Sequence, residues 1–348
     1  MRALVKTAPR PGHVELIETP TPTPAPGEVL VKVEACGICG TDLSLYQSPE
    51  HLAAEMGIQF PIIFGHEFAG WIADVGSEVR DLRVGDLVTV NPVLYCGACY
   101  YCDSGRQEIC ENRPAVGVQV PGAFAEYVTV RQENAYRLPD SVPPAVGALG
   151  EPLAVALHGV ARSGLQPGWT PVILGSGPLG LLTALACQQA GAEQVLVVGL
   201  RQDAGRLAVA RELGLETYFA DDEELEARVR ADTAGRGAEL TFEVAGSPAA
   251  LRQALRLCRK DGTVVTLGIP HEDIPIDIAA FTFAEKRLIG SRGYTPRDWA
   301  SAVELISARP ADLVKIVSDV LALEFFERAI SKLMAREGLK IIIDPSLP

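Results

Sequence analysis

Short β-rich apolar runs mark the chain up to about residue 150: Val29–Ala35 (VLVKVEA), Phe68–Gly76 (FAGWIADVG), Asp86–Pro92 (DLVTVNP) and Ala125–Val130 (AEYVTV). Turns rich in Gly, Pro and Asp separate them, which predicts a β-barrel-like or mixed β domain. From Thr170 the pattern changes. Strand-like Pro171–Gly175, Gln194–Leu200, Glu239–Gly246 and Thr263–Ile269 alternate with helical patterns over Gly177–Gly191, Ala204–Gly214 and Pro248–Lys260. That alternation predicts parallel strands with crossover helices, a doubly wound α/β sheet. After about Ser291, further helical patterns and the strand-like run Lys340–Asp344 could return the chain to the first domain. No internal repeat, low-complexity tract or long linker interrupts this order.

Length and charge narrow the picture. The 348 residues exceed the ~250–300 at which a single core stops growing, so two domains are expected. With 48% hydrophobic and 22% charged residues the composition is globular. A net charge of −13 argues against nucleic acid as a partner, although a local basic pocket could still hold a phosphorylated small molecule. The first residues, MRALVKTAPRPG, lack the apolar stretch of a signal peptide, and no uncharged apolar run reaches ~18 residues, so neither export nor a membrane span is expected. The expected location is the cytoplasm.

The eight cysteines are poor disulfide candidates there, and six of them fall between Cys36 and Cys110. Cys187 and Cys258 stand apart in helical patterns and read as small packed hydrophobes. Cys96, Cys99, Cys102 and Cys110 follow one another at gaps of two, two and seven residues. Four thiolates on one compact loop suit a structural zinc, which wants four soft tetrahedral ligands and no open position. An iron–sulfur cluster is the rival reading, but its motifs continue with a short third gap and a proline, which this loop lacks.

The run Pro171–Gly180 (PVILGSGPLG) leads from a strand into a helix and spaces Gly175, Gly177 and Gly180 as a dinucleotide fingerprint, with Pro178 and Leu179 ahead of the third glycine. A pyrophosphate would sit at that helix N-terminus, where unpaired N–H groups favour anions. At the end of the next strand Gly199 stands where an acid would grip the ribose of NAD, with Arg201 two residues on and Arg206 nearby. A carboxylate ~4 Å from a 2′-phosphate would repel it by roughly 4 kcal/mol per charge pair at an effective dielectric of ~20, so its absence removes the main barrier to NADP. An arginine can also grip phosphate with paired donors. In the other reading Arg201 is a solvated surface charge and Asp203 takes the ribose.

The pair Cys36 and Cys39 (CGIC) could be a redox couple, half of a metal site, or one ligand with a bystander. A redox couple belongs at a strand-to-helix junction of a small βαβ fold, whereas this pair lies in the β-rich half. His66 and Glu67 (FGHEFAG) and Glu151 (LGEPLAVALHG) supply an imidazole and carboxylates for a second zinc with an open position. Taken singly, His66 could be a core histidine, Glu67 a surface charge and Glu151 a helix N-terminal acid.

Together with Glu34–Leu43 (EACGICGTDL), Pro61–Gly70 (PIIFGHEFAG), Val84–Pro92 (VGDLVTVNP), Pro121–Val128 (PGAFAEYV), Glu151–Val160 (EPLAVALHGV), Val172–Leu182 (VILGSGPLGLL) and Thr263–Ile269 (TVVTLGI), these marks give a chain that resembles the zinc-dependent medium-chain alcohol and polyol dehydrogenases over nearly its whole length. The resemblance implies a GroES-like catalytic domain over residues 1–155 with a structural zinc lobe at about 91–113, a Rossmann domain over 156–290, and a return to the catalytic domain over 291–348. It implies two zinc ions per chain. One is structural; the other is held by Cys39, His66 and either Glu67 or Glu151, with Glu151 preferred before substrate binds and Cys36 left as the bystander. Thr41 would relay the substrate proton and Asp42 would anchor the loop. Many relatives carry an outer relay histidine five residues after the ligating cysteine; Ser44 stands there, and His51 is too far along to replace it.

The expected reaction is hydride transfer between a secondary alcohol of a polyol, diol or sugar and NADP, favoured over NAD, with Leu267, Gly268 and Ile269 lining the nicotinamide pocket. L-threonine or a simple alcohol is the alternative substrate. An NADP-binding protein without catalytic zinc, quinone reductase-like or structural, is the alternative of a different class. Family habit adds a homodimer or homotetramer, with no membrane or nucleic-acid partner.

Overall fold

The computed structural model describes every residue except Ser48 and His271, and every side chain except theirs and those of Pro49, His51 and Leu52. Two compact units result: Met1–Glu151 with Trp299–Pro348, and Pro152–Asp298. The strands of the first unit's N-terminal part are β1 (Arg2–Lys6), β2 (Val14–Glu18), β3 (Glu28–Gly37), β4 (Ile62–Ile63), β5 (Glu67–Val75), β6 (Leu87–Val90), β7 (Tyr127–Arg131) and β8 (Ala135–Arg137). The second unit holds β9 (Val172–Leu174), β10 (Leu196–Gly199), β11 (Glu216–Phe219), β12 (Ala238–Glu243), β13 (Cys258–Thr266) and β14 (Arg287–Gly290). The C-terminal part adds β15 (Val317–Leu321) and β16 (Lys340–Ile343).

In the first unit the main sheet runs β15-β16-β3-β5-β6-β8, with β7 also on β3, and β2-β1-β4 form a smaller antiparallel sheet. Val29, Val31 and Val33 of β3 point into one core, as the alternating pattern requires, and meet Phe64, Phe124 and Phe326 there. The three rings pack edge to face at 4.9–5.5 Å between centroids. Burying each contributes roughly 2–3 kcal/mol, and Phe326 belongs to the C-terminal helix Phe326–Met334, so this core fastens the chain's end to its beginning. The strand-like run at Lys340 does return to this sheet, pairing with Cys36 and Gly37 at the end of β3.

In the second unit all pairings are parallel and the order is β11-β10-β9-β12-β13-β14. This is the Rossmann order, reversing direction between β9 and β12, and such a reversal opens a crevice at the carboxyl ends of the strands. Cys258 differs from its expected place: the helix stops at Leu257, and Cys258 starts a longer β13 that ends at Thr266, before Leu267. It is buried all the same, as is Cys187. The stretch Pro144–Ser163 is apolar enough and long enough to cross a membrane by composition, yet 67% of that window is buried inside the protein, as in a core helix.

Candidate functional site

Three side chains converge where β3 ends and β5 begins. Gly37 and Glu67 are register partners across the two strands; Cys39 follows β3 by two residues and His66 precedes β5 by one. Their thiol, imidazole and carboxylate ligand atoms all lie within 4.8 Å of one another. Gly37 makes this approach possible, since a Cβ there would sit 2.5 Å from Glu67 Oε2. At Gly65, φ is +93° and a Cβ would meet the Phe124 ring at 2.8 Å, so the turn presenting His66 also depends on glycine.

The surroundings orient these groups. Asp42 is fully buried; its Oδ2 accepts the Cys39 backbone N–H at 2.8 Å and its Oδ1 lies 3.7 Å from His66 Nδ1. A carboxylate behind an imidazole is the usual support for a metal-ligating histidine, because it fixes the tautomer and turns the other nitrogen toward the ion. Burial pushes the Asp42 carboxyl up to about 6 against the pull of His66 and the Cys39 N–H. Burial opposes charge on His66, but Asp42 and then Cys39 outweigh it and the ring titrates well above its usual range. Thr41 places its hydroxyl 3.8 Å from Cys39 Sγ. Ser44 is half-buried on the helix Gly40–Gln47, and the His51 side chain lies outside the described residues.

Glu151 stands outside the 4.8 Å group. Its carboxyl is pushed up to about 7 by burial, with His66 lowering it and Glu67 raising it, so it shares the electrostatics of the site. Lys340 was not singled out from the sequence. It is buried at the start of β16, and its ammonium donates to Glu67 Oε2 and, at 3.0 Å, to the Ile38 carbonyl. The one available signal was a lysine opening the apolar run KIII. Cys36 is fully buried and its thiol is raised well above its usual range, first by desolvation and then by Asp42 and Glu67, which makes it an inert group.

A thiolate, an imidazole and a carboxylate, with a carboxylate behind the imidazole, suit zinc by donor chemistry. The second cysteine cluster fits too. Its sulfurs lie 3.4 Å (Cys110–Cys96), 3.8 Å (Cys99–Cys110) and 3.9 Å (Cys96–Cys102) apart, and a tetrahedron with ~2.3 Å arms has edges of about 3.8 Å. Backbone N–H groups of Glu111 and Cys102 pull Cys99 down to about 6, while burial and then the neighbouring thiols push Cys102 up to about 12. Four such thiols cannot all ionise without a cation among them. Cys99→Ser is expected to remove one zinc per chain and lower Tm by at least ~5 °C, given that ~1 kcal/mol moves Tm by ~2–4 °C at this size; calorimetry with metal analysis checks it, and an unchanged Tm would contradict a structural ion.

The second unit holds the glycine fingerprint between β9 and the helix Pro178–Gln189. Gly175 has φ +131°, and a Cβ on it would meet Val244 Cγ2 at 2.9 Å. On Gly180 it would come within 1.9 Å of the Gly175 carbonyl. A Cβ on Gly177 would meet nothing within 4 Å, and no side chain caps the helix whose first turn holds Pro178 and Leu179. Open space at the second glycine before uncapped N–H groups is what a pyrophosphate needs. Gly199 ends β10 facing Ser176, whose Oγ would lie 2.6 Å from any Cβ there. A side chain at 199 would require the Ser176 hydroxyl to turn away.

Arg201 stacks 4.9 Å over the Phe219 ring and pairs with Asp221 at 2.7 Å and Asp222 at 3.1 Å. With Leu200, Gln202, Ala220, Asp221 and Arg256 it lines a cleft of about 480 Å³. Arg206 lies 3.8 Å from Asp203, which is buried and accepts the Leu200 N–H at 3.2 Å, so that carboxylate is engaged in its own turn. Beyond β13, Leu267 is buried against Gly159, Gly268 packs on the Gly246 turn, and Ile269 is 79% exposed.

Residues 25–140 match the family model described as the alcohol dehydrogenase GroES-like domain, and 178–308 match the zinc-binding dehydrogenase model. The chain is similar to a sorbitol dehydrogenase of Halalkalibacterium halodurans, 34% identical over 349 residues with 99% of each chain covered. An L-threonine 3-dehydrogenase of Bacillus subtilis is also 34% identical, again with 99% of each covered. Among solved structures, a protein of Sinorhizobium meliloti described as a zinc-binding dehydrogenase, bound to NADP, superimposes with a TM-score of 0.90 at 33% identity, covering 99% of both chains.

Proposed function

The chain belongs to the zinc-dependent medium-chain alcohol and polyol dehydrogenases, and we propose that it moves hydride between a secondary alcohol of a polyol, diol or sugar and NADP. The observation that carries this reading is the convergence of Cys39, His66 and Glu67 with Asp42 behind the imidazole. Zinc bound there would supply Lewis acidity that lowers the pKa of the alcohol, and the nicotinamide would accept the hydride at C4. Cys39 and His66 serve as fixed ligands. Glu67, neutralised by Lys340, and Glu151, held near neutrality by burial, are the two carboxylates able to complete the set.

Asp42 keeps the His66 ring in one orientation, and Thr41, beside Cys39, accepts the substrate proton and passes it outward. In the second unit the N–H groups following Gly177 bind the pyrophosphate. Gly199 and Arg201 leave room and positive charge for a 2′-phosphate, though Arg201 must exchange its bonds to Asp221 and Asp222 for it. The NADP-bound relative supports this cofactor. Eight free cysteines suit a reducing compartment, so we assign the enzyme to the cytoplasm, as a homodimer or homotetramer.

A panel of polyols, diols, sugars and L-threonine, read at 340 nm with each cofactor, tests the reading. A higher kcat/KM with NADP than with NAD is expected. Arg201→Ala should lower the NADP value by about 10-fold, the worth of one charge-assisted contact, and leave NAD unchanged. Equal use of both cofactors by the parent enzyme would contradict the NADP assignment, and no turnover of any alcohol would contradict the reaction.

A further inference from the structure

Arg256 lies in the last turn of the helix Pro248–Leu257 and is exposed. A short series of contacts carries that helix to the end of β10. The Gly199 carbonyl accepts the Ala220 N–H at 2.8 Å, which draws the end of β11 against the position where a ribose-binding acid would stand. The Ala220 carbonyl in turn accepts the Gln253 side-chain amide at 2.7 Å, so the helix is fastened to the same place. Gln253 and Arg256 are three residues apart and share one helix face. A helical side chain leans back toward the helix N-terminus, and this helix starts beyond the carboxyl end of β12. Both residues accordingly line the cleft of about 480 Å³, with Leu200, Arg201, Ala220 and Asp221.

The charges around this cleft are unevenly paired. Arg201 is held by Asp221 at 2.7 Å and Asp222 at 3.1 Å, one cation against two carboxylates, so the three together carry −1. Alone, that group would repel a phosphate. Arg256 changes the balance. It is the second guanidinium of the cleft, and among the described residues no carboxylate pairs with it and no group accepts a hydrogen bond from it. Its donors can take an anion without giving up a partner, whereas Arg201 must first release one.

We propose that Arg256 grips the 2′-phosphate of NADP from the helix side of the cleft, supplying the cation that Arg201, neutralised by Asp221 and Asp222, does not. This rests on the reading of NADP as the cofactor and deepens it: part of the selectivity between the two cofactors resides on the helix after β12 rather than on the turn after β10 alone. A planar fork meets two phosphate oxygens at once, and a cofactor without the 2′-phosphate gives it nothing to hold.

Isothermal titration calorimetry of the zinc-loaded enzyme with adenosine 2′,5′-bisphosphate and with 5′-AMP isolates this contact, since the two probes differ only in the 2′-phosphate and no turnover is needed. The parent should bind the bisphosphate ~10-fold or more tightly than 5′-AMP. Arg256→Ala should lose ~5–10-fold on the bisphosphate, as one exposed charge-assisted contact would, and stay within about 2-fold on 5′-AMP, with Arg256→Lys between. Arg252→Ala removes an exposed arginine of the same helix that does not line the cleft, and should move neither affinity by more than about 2-fold. In the parent alone, raising salt should erode the preference, an arm that needs no variant to fold. Equal losses on both probes in Arg256→Ala, undiminished discrimination in that variant, an equal loss in Arg252→Ala, or a preference indifferent to salt would overturn the proposal and leave the NADP reading standing. A parent that binds the two probes equally would overturn both.

Discussion

Cys39→Ser is expected to lower kcat/KM for alcohol oxidation by about 10³-fold or more, whereas Cys36→Ser keeps activity within a few-fold. A serine hydroxyl is a poor zinc ligand at neutral pH, so the substitution removes the several kcal/mol that an ion contributes to a developing alkoxide. Cys36 sits three residues earlier, but its side chain enters the core with Val33 and Phe68 rather than the ligand cluster. Serine at 36 buries a hydroxyl among apolar groups, a cost of about 1–3 kcal/mol in stability rather than in catalysis. Steady-state kinetics at saturating zinc separates the two cysteines. Equal losses would mean that the pair works as a redox couple, and near-normal Cys39→Ser would remove the cysteine from the site.

The second large effect concerns Lys340, buried against Glu67. Lys340→Met should destabilise the zinc-stripped protein by about 3–5 kcal/mol, because Glu67 is left buried without its cation. Pairing it with Glu67→Gln should recover most of that loss, since the combined change removes both charges together. The loss in Lys340→Met should shrink when zinc is restored, because an ion beside Glu67 can replace the ammonium. Equilibrium denaturation of the three variants with and without zinc reads all three statements. A Lys340→Met protein as stable as the parent without metal would show that Glu67 does not depend on this partner.

These two cases show where sequence reading works on this chain and where it stops. Cys39, His66 and the glycines of the fingerprint were legible because each lies within a short run whose turn chemistry is local: a strand end, a glycine, a ligand. The Lys340–Glu67 pair joins residues 273 apart, and no periodicity links a lone lysine at a strand start to a carboxylate in another segment.

The fold divides similarly. The alternation from Thr170 onward revealed β9, β10, β12 and β13, centre strands that carry buried apolar residues, in β13 over its second half. The strands β11 (ETYF) and β14 (RLIG) escaped notice because they are the sheet's two edges, half-exposed or exposed, and carry no such run. The helix Gly40–Gln47 escaped because GTDLSLYQ presents no apolar face and buries only Asp42 and Leu45. Asp42 is buried there by its contacts with the Cys39 N–H and the His66 ring rather than by an apolar face, so the helix carries no amphipathic signal.

Zinc content per chain, measured by mass spectrometry of the metals after exhaustive dialysis, tests the central claim most directly. The account predicts about two zinc ions in the parent and about one in Cys39→Ser, the remaining ion belonging to the four-cysteine lobe. One ion in the parent, or two retained in Cys39→Ser, would contradict it.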